Sequence, residues 1–383
     1  MKKQLLCTSA IALGVAAAPA AAQDWNLDWG GFMSQHVAFG DISVGNPALA
    51  GIDFEGDGLD IHSTSEIIFT PSITLDNGMT FGINIQLEGE NVGARVDETY
   101  MSISSDTFGR LDLGSENSAG YKSMVGAPGV TSMYINSPST SSFIPFTGAL
   151  TTVPLASAGF RQAILSSYTE VTQGVANNDV QRITYYTPDF NGLTIGISYA
   201  PEGVTNAVNS FSINKNAVIS DIFDIGVNYS NSFGATDITL AARWGTADGI
   251  VGTSDPETWG LGFQVGFNNI TVGGSYTEND TGLTPLAQAL IGGDSEGWSF
   301  GATYDAAGPW AFEALTYQGE MDNHLVVGNT LEREAYRIGA SRTLGPGVDW
   351  DIYVLYEERD NTASVAFTEI EGTLLGTAIN LSF

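Results

Sequence analysis

Three groupings of residues have the types and spacing that chemistry requires. The run Asp53-Phe-Glu55-Gly-Asp57-Gly58-Leu-Asp60 clusters carboxylates, and clustered carboxylates are what a hard, oxygen-seeking cation takes as ligands. It opens like a helix-flanked calcium loop, but Glu55 stands at the second ligand position, Thr64 falls where the bidentate Glu belongs, and a strand pattern follows. Asp53, Glu55, Asp57 and Asp60 are thus a candidate calcium site of an irregular kind, with an ordinary solvated acidic loop as the alternative. The second grouping is the pair Gly293-Asp-Ser295-Glu-Gly297 and Gly297-Trp-Ser299-Phe-Gly301, both of which match the hydrolase nucleophile pattern. That pattern works only on a sharp turn from strand into helix, whereas these lie in a Gly-rich loop and within an alternating strand. His36, His62 and His324 are scattered, without the His-Glu-x-x-His spacing of a zinc pair, and no phosphate-binding Gly-Lys loop is present. No catalytic residue and no required cofactor are expected. The third grouping is a set of isolated arginines, Arg110, Arg182, Arg243 and Arg337, each on the polar face of an alternating segment. Guanidinium groups on the wall of a water-filled passage sort solutes by charge; the alternative is that each pairs with a neighbouring carboxylate and only keeps the wall wet.

The elements that carry these residues are strands. Hydrophobic period gives little helix and many alternating segments of roughly ten residues, the length a tilted strand needs to cross a membrane. In Phe81-Gly-Ile83-Asn-Ile85-Gln-Leu87-Glu88 the apolar residues share one face, and Asn84, Gln86 and Glu88 the other. The alternation recurs through Leu193/Ile195/Ile197/Tyr199, Trp259/Leu261/Phe263/Val265/Phe267 and Trp298/Phe300/Ala302/Tyr304 to Leu375/Thr377/Ile379/Leu381/Phe383. Short turns rich in Gly, Asn, Asp or Pro, such as Asp76-Asn77-Gly78 and Asn268-Asn269, come at every second connection, and the intervening loops are longer and polar. That asymmetry separates a membrane barrel from a soluble sandwich. The count comes to about 16 strands. In hydrocarbon every backbone N–H and C=O needs a partner, so the first and last strands must pair, and a ring of that size is too wide for side chains alone to fill. The expected fold is all-β: a transmembrane antiparallel up-and-down β-barrel with a polar interior. One connection, residues 116–181, lacks a convincing strand. Its Ser, Thr, Pro, Gly and apolar content, including Phe143, Ile144, Phe146, Leu150 and Leu155, suits a third loop folded into the lumen better than a solvated tail.

Composition agrees with this reading. Residues 1–22 have the basic start, short apolar core and Ala20-Ala21-Ala22 end of a cleaved signal peptide, which leaves residues 23–383 as one barrel domain. Cys7, the only cysteine, leaves with the signal, so a disulfide framework is excluded. Past the signal no apolar run of 18 residues or more occurs, which excludes a helical membrane protein. With 43 acidic against 13 basic residues and a net charge of −30, binding to nucleic acid phosphates is disfavoured, and cations would gather at a pore mouth.

The chain resembles the general-diffusion porins of Gram-negative bacteria over essentially its whole mature length. Arg182-Ile-Thr-Tyr185-Tyr-Thr-Pro188-Asp-Phe190-Asn-Gly192-Leu193 is similar to that family's strand, Pro-x-Phe-x-Gly turn and returning strand. Gly109-Arg110-Leu111-Asp-Leu113-Gly114 resembles the strand before its constriction loop, and Ile379-Asn-Leu381-Ser-Phe383 the terminal strand whose aromatic last residue the outer-membrane assembly machinery recognises. The resemblance implies location in the outer membrane, contact with its lipid and lipopolysaccharide, a homotrimer, and passive diffusion of small hydrophilic solutes and ions. It also implies a constriction at which acids on the third loop, here Glu116, Glu170 and Asp179, face Arg110, Arg182, Arg243 and Arg337 on the wall. The family's usual Pro-Glu-Phe-x-Gly element is missing from this loop. Excess carboxylates give an expected preference for cations. A substrate-specific channel, marked by a line of aromatics along the lumen, is the alternative; a barrel enzyme would need a Ser-His pair on its lipid-facing rim, and none is seen.

Overall fold

The computed structural model describes residues 24–45, 56–89, 96–133, 179–203, 214–291, 293–323, 326–361 and 369–383. The expected signal segment, residues 1–22, lies outside them. Along the chain the strands are β1 (Trp29–Val44), β2 (Gly58–Phe69), β3 (Ser72–Thr74), β4 (Thr80–Glu88), β5 (Val96–Ser105), β6 (Gly109–Glu116), β7 (Val180–Tyr186), β8 (Leu193–Glu202) and β9 (Ser220–Phe233). There follow β10 (Thr236–Asp248), β11 (Glu257–Phe267), β12 (Ile270–Asp280), β13 (Ser295–Asp305), β14 (Trp310–Asp322), β15 (Thr330–Gly345), β16 (Val348–Asn361) and β17 (Glu369–Ser382). Each pairs antiparallel with its sequence neighbour, and β1 closes the ring on β17. β2 and β3 both pair with β4 and are halves of one strand, so the wall has 16 staves. The break falls at Thr70-Pro71, where proline has no N–H to give the ladder. Short turns alternate with long connections around the ring as expected. The turns use the residues their geometry demands, among them Gly78 at φ 81° and Asn268 at φ 53°.

The closing seam of β1 and β17 is extended by Phe383. Phe383 and Gly31 exchange backbone hydrogen bonds of 3.2 Å in both directions, and the Phe383 ring meets Trp29 edge-on at 5.5 Å. We expect deletion of Phe383 to lower the yield of folded barrel several-fold, read from the fraction that stays compact in unheated gels. An unchanged yield would mean that β1 and β17 close without it.

Outward faces carry two aromatic rows. Trp310 and Trp350 (5.7 Å) belong to the row near the short turns, with Arg342 lying over Trp310 at 5.5 Å; Trp259 with Tyr276 (5.2 Å) and Tyr336 with Tyr356 (6.3 Å) belong to the row near the long loops. Rings of this amphipathic kind settle at the two membrane–water boundaries. Beyond the second row the outward face turns acidic. Tyr276, Tyr336 and Tyr356 donate their hydroxyls to Glu296, Glu334 and Glu358 at 2.5, 3.1 and 2.6 Å.

The interior departs from the expected uniform polarity. At the long-loop end of β14–β17 and β1, the inward side chains are Leu315, Tyr317, Met321, Leu331, Leu355, Ile370, Leu374 and Ile42, which pack with Met133 as one buried apolar cluster. Arg333, Glu357 and Arg359 lie buried beside it, Arg333 bonded to Glu357 at 2.8 Å and stacked on Tyr317 at 4.7 Å. In this part of the barrel apolar side chains face inward and acidic ones face outward.

Candidate functional site

The third long connection leaves β6 at Glu116 and turns inward. Ser118 caps a single helical turn, α1 (Ala119–Ser123), by accepting a hydrogen bond from Tyr121 N at 3.2 Å. Beyond it the chain runs as a strap along the inner wall from β8 to β16. Ala119 N donates to Ser198 Oγ at 2.7 Å, Gly126 O accepts from Gln264 at 2.9 Å, and Ala127 N donates to Ser299 Oγ at 3.0 Å. Val130 N and Thr131 N donate to Glu313 at 2.5 and 3.1 Å, and Ser132 N donates to Asp351 at 2.9 Å. Met124 lies over Gly260 of β11 and Ser132 over β16. Five strand spacings of roughly 4.8 Å separate those staves, about what eight extended residues can reach.

Wall carboxylates do most of the holding. Glu313 also accepts from Thr131 Oγ1 (2.7 Å) and pairs with Arg337 through Nε (2.7 Å) and NH2 (3.1 Å). Asp224 accepts from Ser118 and from Arg243, at 3.1 and 2.5 Å. Small wall residues make the close seat possible. A Cβ at Gly262 would strike the carbonyl of Val125, and one at Gly226 would come within 2.6 Å of the Ala119 carbonyl. Gly262→Leu is therefore expected to lift the strap into the passage and reduce single-channel conductance, at an overpacking cost of about 1–3 kcal/mol; unchanged conductance would show that the strap does not set the width.

The positions of the constriction residues follow. Arg243 and Arg337 lie beneath the strap with side chains 0% and 4% exposed, and Arg182 is also buried. Arg110 alone of the four stays open to water, at 45%; it bonds Asp112 at 2.8 Å and the Tyr100 hydroxyl at 3.2 Å. Glu116 is fully buried and Asp179 nearly so, and the Asp179 carbonyl accepts from Ser115 at the base of the loop. Glu170 lies outside the described residues. Sequence reasoning missed Lys122. Its Nζ sits 2.8 Å from Glu116 and 3.3 Å from Glu98, and 4.8 Å over the Tyr100 ring, whose other neighbour is Arg110 at 5.7 Å. Burial alone would pull the Lys122 ammonium down, but Glu116 and Glu98 outweigh it and hold its pKa above the usual lysine value. A lone lysine in an unpatterned loop carries no periodic signal, so only its place six residues after Glu116 could have pointed to it.

Of the acidic run, Asp53 and Glu55 lie outside the described residues. Asp57 caps the Ile42 amide at 3.0 Å, and Asp60 stands exposed on the inner face of β2 opposite Ala38. Among the described residues no group of three or more His, Cys, Asp or Glu is placed to hold a metal ion. His36 is buried, 3.0 Å from the Tyr353 hydroxyl and 3.4 Å from Ser132 Oγ. Asp351 meets the serine at 3.1 Å, whereas a hydrolytic triad needs its acid on the histidine. Ser295 and Ser299 both point inward from β13 and are buried.

A sealed ring of sixteen staves with an inward loop defines the class of the molecule as an outer-membrane channel. The model of the Gram-negative porin family matches residues 8–364, and the chain belongs to that family. A curated porin of Rhodobacter capsulatus is 31% identical over 74 residues, which is 19% of this chain and 24% of that one. The chain thus matches about a quarter of that relative's length. Among solved structures, the anion-selective porin of Comamonas acidovorans superposes with a TM-score of 0.57 at 16% identity, covering 94% of this chain and 100% of that one. OmpT of Vibrio cholerae, an outer membrane protein in a trimer form, gives 0.57 at 12% identity, covering 94% and 99%. The protein is a channel of the outer membrane and not an enzyme.

Proposed function

We propose that this channel passes small hydrophilic solutes and ions down their gradients, prefers cations, and works as a homotrimer. One observation carries the preference. Among the described residues the arginines Arg182, Arg243 and Arg337 are buried, while Asp60 and Glu66 lie on the inner face of β2, within reach of water and in no ion pair found there. The charge that meets a passing ion is acidic along β2, at Asp60 near the long loops and at Glu66 further down, and the basic groups open to water are Arg110 near the short turns and, less so, Lys122. Carboxylates along a narrow aqueous path lower the energy of a cation and raise that of an anion. The trimer draws support from the Vibrio cholerae relative. Phe383 is the residue through which assembly machinery would recognise the chain, and the aromatic rows are where outer-membrane lipid and lipopolysaccharide would meet it. The substrate-specific alternative gains little, because Tyr317 and Tyr353, though inward, are buried.

The test is planar-bilayer conductance with reversal potential under a salt gradient. We expect steps grouped in threes, a reversal potential of the sign for cations, and a stronger cation preference in Arg110→Ala. Absence of conductance would overturn the channel reading for the isolated protein; an anionic reversal potential would overturn the preference alone.

A further inference from the structure

The outward surface of β9–β13 is hollowed. Ala242 of β10 and Gly274 of β12 stand among Leu240, Leu261, Phe263 and Phe300, their neighbours in the cross-strand register, and leave a groove of about 800 Å³. Gly274 keeps two rings apart: a Cβ there would lie 3.3 Å from Phe300 and 3.5 Å from Phe263. The groove runs from Val227 on β9 to Trp298 on β13, across four strand spacings of roughly 4.8 Å. At its end toward the long loops it meets a second recess of about 150 Å³, and Tyr276 and Trp298 line both. This recess is acidic. Glu296, Glu320 and Glu332 stand side by side in one cross-strand row, and Glu334 lies in the row below. Carboxylates directly opposite one another repel, and among the described residues none of these four is in an ion pair. Arg333, the basic residue at the recess, turns inward and is buried against Glu357.

We infer that groove and recess together bind one amphiphile of the membrane, its fatty chain lying across β10–β13 and its cationic head, an ammonium, held among Glu296, Glu320, Glu332 and Glu334. This rests on the membrane placement and gives the lipid-facing belt one specific occupant. The groove lies on the hydrocarbon side of the aromatic row near the long loops. A hollow there forfeits dispersion contacts on its open side, and lipid tails are the groups at hand to restore them. Charge selects the head. An anionic head would meet four carboxylates of its own sign, whereas an ammonium relieves their mutual repulsion and has three donors to share among them. The boundary between the two parts is the Tyr276 side chain, with its ring on the groove and its hydroxyl on Glu296.

A photoreactive probe tests this. Tetradecylammonium with a diazirine in its chain is mixed sparsely into maltoside micelles that hold the folded barrel and EDTA, and crosslinks are mapped by peptide mass spectrometry. They should fall on β10–β13 at least fivefold more often than on the rest of the outer surface. The matched tetradecyl sulfate should spread evenly. Ala242→Trp, which fills the groove, should remove the enrichment, and Glu320→Gln with Glu332→Gln should bring the ammonium probe down to the pattern of the sulfate. Folding of each variant is checked by compactness in unheated gels, and Ala242→Leu serves if Ala242→Trp does not fold. An even spread of the ammonium probe, the same enrichment with both heads, or enrichment that survives the filled groove would overturn the inference and leave the membrane placement intact. Crosslinks missing from the outward strand faces altogether would overturn both.

Discussion

Replacing Glu313 with alanine should unfasten the strap and release the largest structural effect of any single wall substitution. The carboxylate accepts from Val130 N, Thr131 N and Thr131 Oγ1 and pairs twice with Arg337. Its removal leaves a buried guanidinium without its acid, a change that costs roughly 3–5 kcal/mol when one partner of a buried pair is lost, and strands two loop amides as well. The expected result is a lower denaturation temperature together with noisy single-channel current of altered mean. Glu313→Gln keeps acceptor capacity for the strap but loses the charge, so it should restore quiet current while remaining destabilised. If both variants conduct as the parent does, the strap is held by its neighbours and Glu313 is a local ion pair only.

The second large effect belongs to Asp60 and Glu66. A unit charge about 8 Å from a passing ion contributes roughly 0.5 kcal/mol at the dielectric of water, and screening at physiological salt trims this to about a third. Two carboxylates act with opposite sign on cation and anion, so Asp60→Asn with Glu66→Gln should lower the cation-to-anion permeability ratio about threefold, as read from reversal potential. The change should shrink as salt is raised. A ratio that does not move would place the selectivity elsewhere, in the loops at the mouth.

Much of this architecture was legible in the residues because the membrane imposes a period of two. Phe81, Ile83, Ile85 and Leu87 had to face lipid, and the Gly, Asn and Pro of the short turns could do little else. The alternation also placed Arg110, Arg182, Arg243 and Arg337 on the inner face. It could not say what lies above that face, and three of the four are buried, two of them beneath a loop segment with no period of its own. The rule that polar means inward fails above the upper aromatic row, where Glu334 and Glu358 face out while Leu331 and Leu355 face in. Those outward acids stand beyond the hydrocarbon, and the inward leucines pack against the contents of the barrel. An alternating segment has the same period in either case, so sequence alone gives the phase only where the surrounding medium is known.

The seam between β1 and β17 carries a consequence for biogenesis. Phe32 lies opposite Ser382 and Met33 opposite Leu381, so the first strand made has no second neighbour until the last residues of the chain are synthesised and exported. Such a wall cannot mature in step with translation. Every earlier stage is an open sheet with an unpaired edge, prone to join the wrong partner, and the unfinished chain must be shielded on its way to the membrane.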